Sequence, residues 1–98
     1  MLGKNKELYE RFMEEGNYGA ALDIAMNMGD NEKLYEAGIK AYESCLKDRD
    51  IHGTVIYGIK IGFSLDKIES DLYEIFDDEK TRRGIETLIR VLKGSSHE

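Results

Sequence analysis

The sequence predicts an all-α fold: three antiparallel helical hairpins, about six helices, stacked as a short α-solenoid or closed into a compact helical bundle. Three observations carry this reading. The segment Leu8-Tyr9-Glu10-Arg11-Phe12 returns as Ala41-Tyr42-Glu43-Ser44-Cys45 and again as Leu72-Tyr73-Glu74-Ile75-Phe76, with starts 33 and then 31 residues apart. Self-similarity at that period marks stacked hairpins, none of which can bury its own apolar face alone. Five short breaks, Glu15-Gly16-Asn17, Gly29-Asp30-Asn31, Lys47 to Asp50, Ser64 and Asp77-Asp78-Glu79, divide the chain into six segments of helical length. Each segment carries apolar residues at helical spacing, and the chain contains no proline.

The first hairpin is expected over about 4–29. Leu8 and Phe12 are i,i+4 with Tyr9 between them, and Ala21, Leu22, Ala25 and Met28 stripe the second helix. The second hairpin spans about 31–63. Asn31 is read as the cap of a third helix carrying Leu34, Ala37, Ile39, Ala41, Tyr42 and Cys45. The fourth segment, 54–63, pulls two ways. It is rich in β-branched residues and alternates Val55, Tyr57, Ile59, Ile61 and Phe63, which on propensity alone reads as a strand. A lone strand has no partner here, however, and the repeat register maps Ala21, Ala25 and Gly29 onto Thr54, Gly58 and Gly62. Small residues at i, i+4 and i+8 suit a closely approached helix, so a helix is the expectation.

The third hairpin, about 65–94, opens with Ser64 as cap and carries Leu65, Ile68, Leu72, Ile75 and Phe76. Its last helix carries Ile85, Leu88, Ile89 and Leu92, with Asp78 and Glu79 at the end that favours carboxylates. Gly29, Gly62 and Gly94 are read as the stops of the second helices, and residues 95–98 as a flexible tail. The domain is thus 1–94. The register puts Cys45 where Phe12 and Phe76 stand, so packing is its expected role, and Phe12→Ala or Phe76→Ala is expected to cost about 3–5 kcal/mol.

Composition narrows the function classes. The net charge is −6 over 98 residues, and the charges do not segregate strongly along the chain, which argues against nucleic acid as a partner. Cys45 is the only cysteine, so an internal disulfide is impossible and a reducing, cytoplasmic setting is expected. Met1 to Tyr9 does not read as a signal peptide, and the longest apolar run, 54–63, is half a membrane helix and contains Lys60. No membrane partner, cofactor or metal is expected. Asp48-Arg49-Asp50-Ile51-His52-Gly53 opens like a calcium loop, but the bidentate acid at the twelfth place is Ile59. His52 reads as a polar residue at a helix start. Cys45 and His52 are the nearest approach to a nucleophile and base, with no orienting group, so an enzyme is the least favoured class. Lys80, Arg82, Arg83 and Arg90 form a basic cluster too small for duplex nucleic acid but able to meet an acidic surface of another copy.

The stretch Phe12-Met13-Glu14-Glu15-Gly16-Asn17-Tyr18-Gly19-Ala20-Ala21-Leu22 resembles a tetratricopeptide repeat: an aromatic on helix A, a Gly-polar-Tyr turn, then Ala-Leu opening helix B. The resemblance is specific in the first hairpin only. Tyr9, Tyr42 and Tyr73 stand where that family has a small residue, Arg49 and Lys80 replace the turn glycine, and the closing proline is missing. It implies that the first helices line a concave face holding a peptide, with the residue after each tyrosine turned towards it. Here those residues are Glu10, Glu43 and Glu74, so the implied partner is a protein or peptide that brings Lys or Arg. Tyr35, outside the repeat register, is added as a semi-exposed aromatic suited to an interface. The leading expectation is a scaffold or adaptor module. The second is a small homo-oligomeric structural or regulatory subunit, a homodimer through the uncapped edge of helix 79–93.

Overall fold

The computed structural model describes residues 2–95, which form six α-helices: α1 (Leu2–Glu14), α2 (Tyr18–Met28), α3 (Asn31–Lys47), α4 (Ile51–Lys60), α5 (Leu65–Ile75) and α6 (Glu79–Ser95). The ambiguous fourth segment is helical over 54–60, and its helix begins at Ile51, three residues before the apolar run, and stops at Lys60, so that residues 61–63 lie beyond it. Gly94 and Ser95, read as a helix stop and the first residue of a tail, both lie inside α6, and the rest of the expected tail, residues 96–98, lies outside the described residues.

The caps explain most of the acidic breaks. Asp30, not Asn31, caps α3: its carboxylate accepts from the Lys33 N–H at 3.1 Å, and Asn31 is the first helical residue. Asp is the better cap because its charge also meets the helix dipole. Asp50 caps α4 through the Gly53 N–H at 2.9 Å, which gives one acid of the calcium-like loop a structural task. Ser64 caps α5 through the Lys67 N–H at 3.1 Å. Asp78 accepts from the Thr81 N–H at 2.9 Å, and hydrogen bonds from Thr81 hold its carboxyl below the usual carboxylate range.

The repeat survives in the backbone where side chains differ. Gly16 sits at φ 77° and Arg49, one period later, at φ 61°. A left-handed arginine is strained relative to glycine. Its guanidinium offsets this by donating to the Ile75 carbonyl at 3.2 Å and lying 5.0 Å over the Phe76 ring. Arg82 donates from Nε to the Phe76 carbonyl and from Nη2 to the Tyr73 carbonyl, both at 2.7 Å. Two arginines therefore cap the negative end of α5. Arg83 pairs with Glu79 at 2.5 Å and Arg90 with Glu86 at 2.7 Å, each one turn away. Arg82 is thus committed to the end of α5, while Arg83 and Arg90 make only exposed pairs within α6. The third turn departs from the pattern: Phe76 is extended (φ −107°, ψ 117°), and Lys80 stands inside α6.

The helices α1, α3 and α5 (the A helices) alternate with α2, α4 and α6 (the B helices). Each helix packs on its chain neighbours, and α3 also meets α5. The Cα envelope measures 48 × 31 × 14 Å, with a radius of gyration of 15.1 Å. A compact chain of this length has a radius near 12–13 Å, and two helix layers packed about 8–10 Å apart account for the short dimension. The molecule is a two-layer row of hairpins.

Its core falls into two clusters. One holds Tyr9, Ala21, Leu22, Ala25 and Ala37; the other holds Tyr42, Val55, Ile68, Leu72, Phe76, Ile85 and Ile89; Tyr57 packs against both. Phe76 is buried as the register predicts, whereas Phe12 and Cys45 are only half-buried, so the cost expected for Phe12→Ala falls below that for Phe76→Ala. The small-residue stripe has a physical reason at Gly58, where a Cβ would stand 2.6 Å from Ile68 Cδ1 and 2.9 Å from Tyr42 Cε1. Gly38 on α3, which sequence reading passed over, is as tight: a Cβ there would overlap Ile61.

Candidate partner-binding face

The repeating tyrosines build the A-helix layer. Tyr9 is 3% exposed, and its hydroxyl donates to Glu36 at 2.6 Å, with the Lys33 carbonyl at 3.1 Å. Tyr42, also 3% exposed, donates to Asp71 at 2.7 Å. Each ties its own A helix to a carboxylate on the next. Tyr73, on the last A helix among the described residues, turns to Glu69 on its own helix at 3.0 Å. The ring fills the core and the hydroxyl satisfies the boundary, which is why tyrosine recurs here.

Between α3 and α5 the layer opens into a groove of about 240 Å³, lined by Ile39, Tyr42, Glu43, Leu46, Phe63, Lys67, Asp71, Glu74 and Ile75. Its floor is organised by Phe63, which immediately precedes the Ser64 cap and packs against the second core cluster, as a hydrophobic staple does. The Phe63 ring meets Tyr42 edge-on, with centroids 4.9 Å apart at 89°. Lys67 lies 4.7 Å over the other aromatic partner, Phe63, and pairs with Asp71 at 3.1 Å. Tyr42, Phe63, Lys67 and Asp71 therefore form one connected set. Glu43 and Glu74 stand exposed at the same groove, and neither makes an ion pair among the described residues.

The structure thus brings together two of the four residues that the sequence marked. Glu10 is exposed on α1 but lies outside this groove. Tyr35 is 48% exposed and lines a different, broad depression of about 580 Å³ with Asn31, Glu32, Lys33 and Glu36. Sequence reading missed Phe63 and Lys67, and read Asp71 chiefly as part of a solvated acidic helix face. The Lys67–Asp71 spacing of four was visible, but which face of α5 it occupies depends on how α3 packs.

Burial pushes both Tyr9 and Tyr42 hydroxyls well above the ordinary tyrosine value, helped by the hydrogen bonds to Glu36 and Asp71. A group held protonated by the fold contributes fully below its unfolded pKa and loses that contribution above it. Stability is therefore expected to decline above about pH 10. Tyr42→Phe should cost about 0.5–1.5 kcal/mol at neutral pH and make the alkaline decline shallower, as read by urea denaturation between pH 7 and 11.

Cys45 is half-buried beside Gly53, and burial, then Asp50 and Asp48, push its thiol up, away from the reactive thiolate. His52 is exposed on the first turn of α4. Among the described residues no group of three or more His, Cys, Asp or Glu is placed to hold a metal, and no helix is long and apolar enough to cross a membrane. Comparison with family models, curated proteins and solved structures returns no match to this chain.

Proposed function

We propose that this chain is a protein-interaction module that docks a basic segment of a partner on its A-helix face. The observation that carries the reading is the α3–α5 groove, where aliphatic walls and an aromatic floor meet the unpaired carboxylates of Glu43 and Glu74. An apolar floor with acidic rims suits Lys and Arg, whose long stems pack while their heads find charge. Glu10 extends the acidic character of the layer along α1, and Tyr35 offers a further aromatic contact at the α3 amino end. The tetratricopeptide-like pattern of the first hairpin agrees with this use of the A helices.

Affinity capture with wild type and with Glu10→Gln/Glu43→Gln/Glu74→Gln tests the reading. The expected result is a protein retained by wild type, released as salt rises and lost with the triple variant, because contacts between exposed charges are screened within about 8–10 Å at physiological salt. Retention unchanged by the triple variant overturns it. Recovery of this chain alone favours the second reading, a small homo-oligomeric subunit.

A further inference from the structure

We infer that Lys67 is a built-in competitor for the α3–α5 groove: it already occupies the Asp71 side as an internal cation, and the incoming group is an arginine of the partner protein. This rests on the docking reading above and assigns it a ligand chemistry and a control. The groove already holds one cation in the way a ligand cation is held. The Lys67 ammonium lies over the Phe63 ring at 4.7 Å and pairs with Asp71 at 3.1 Å, and the same Asp71 oxygen takes the Tyr42 hydroxyl at 2.7 Å.

That internal cation is weakly held. Lys67 is in the first turn of α5, where the helix dipole disfavours positive charge, and it precedes its acid by four residues, the less favourable order. Its side chain keeps 49% of its surface open, against 25% for Asp71. Exposed pairs of this kind are worth little, so an arriving group can displace Lys67. Glu43 and Glu74, from neighbouring A helices, are left for the incoming head group. A planar guanidinium can donate to two carboxylates at once and stack on Phe63 in place of the Lys67 ammonium, whereas an ammonium is a point charge, so arginine is favoured over lysine.

The test is ¹H–¹⁵N NMR titration of the full chain with the tripeptide N-acetyl-Ala-Arg-Ala-amide, and with its neutral citrulline counterpart. The expected result is saturable shifts confined to Glu43, Leu46, Lys67, Glu74 and Ile75 with arginine and none with citrulline. The Lys67 side-chain protons lose their ring-current shift from Phe63 as the site fills. Lys67→Gln, which keeps a residue accepted at that helix position, should bind about two- to fivefold tighter, the range released by breaking an exposed pair. Lys60→Gln, an equal charge change on exposed α4, should not. Equal tightening by Lys60→Gln, or none by Lys67→Gln, while arginine still maps to the groove, overturns the competitor role and leaves the docking reading standing. Arginine shifts that match those of citrulline, or that fall outside the groove, overturn both.

Discussion

Leu72→Ala is expected to remove about 2–5 kcal/mol of stability, enough to leave a domain of this size barely folded at room temperature. Leu72 is 1% exposed and shares one cluster with Tyr42 from α3, Val55 from α4, Ile68 from α5, Phe76 just beyond it, and Ile85 and Ile89 from α6. Truncation opens a cavity where four helices converge, and the surrounding ring and branched side chains are held by their own neighbours. The melting temperature should fall by about 10–30 °C, read by far-ultraviolet circular dichroism. The equivalent change at Leu8, the same register position in the first hairpin, should cost less, because Leu8 is only half-buried. The same mutation at two copies of one motif thus measures how unevenly the repeat is used.

Gly58→Ala should be destabilising by about 1–2 kcal/mol although alanine is the better helix former. The new Cβ would stand 2.6 Å from Ile68 Cδ1 and 2.9 Å from the Tyr42 ring, and Ile68 is fully buried with no room to withdraw. Gly84→Ala on α6 is the control of opposite sign. Nothing lies within 4 Å of the Cβ it would add, so it should stabilise by about 0.5–1 kcal/mol. Urea midpoints for the two variants check the pair. Stabilisation by Gly58→Ala would show that α4 and α5 do not approach as closely as described.

The order of helices was legible because the repeat supplied a register that single-segment propensity lacks. For 54–63 the β-branched residues point to a strand, and only alignment with Ala21 and Ala25 shows that Thr54 and Gly58 occupy a close-packed helical position. Features set by contacts between distant segments were not legible. Asn31 and Asp30 are both good caps, and choosing between them needs the backbone of the preceding turn. Arg49 and Arg82 look like surface charges until α5 is seen to end between them. Gly38 looks like a helix weakness until Ile61 is placed against it. The site divides in the same way. The exposure of Glu10, Glu43 and Glu74 follows from their place beside the core tyrosines. That only Glu43 and Glu74 share a groove follows from how α5 lies on α3, which no local pattern encodes.

The A-helix face displays Glu10, Glu43 and Glu74 in exposed positions that folding is not expected to depend on. The most direct test is the urea denaturation midpoint of the Glu10→Gln/Glu43→Gln/Glu74→Gln variant at neutral pH. The expected midpoint is equal to wild type or slightly higher, because three like charges leave a chain of net charge −6 and no ion pair is broken. A midpoint lowered by an amount equivalent to about 1 kcal/mol or more would mean that these glutamates hold the fold, and would contradict the assignment of this face to a partner.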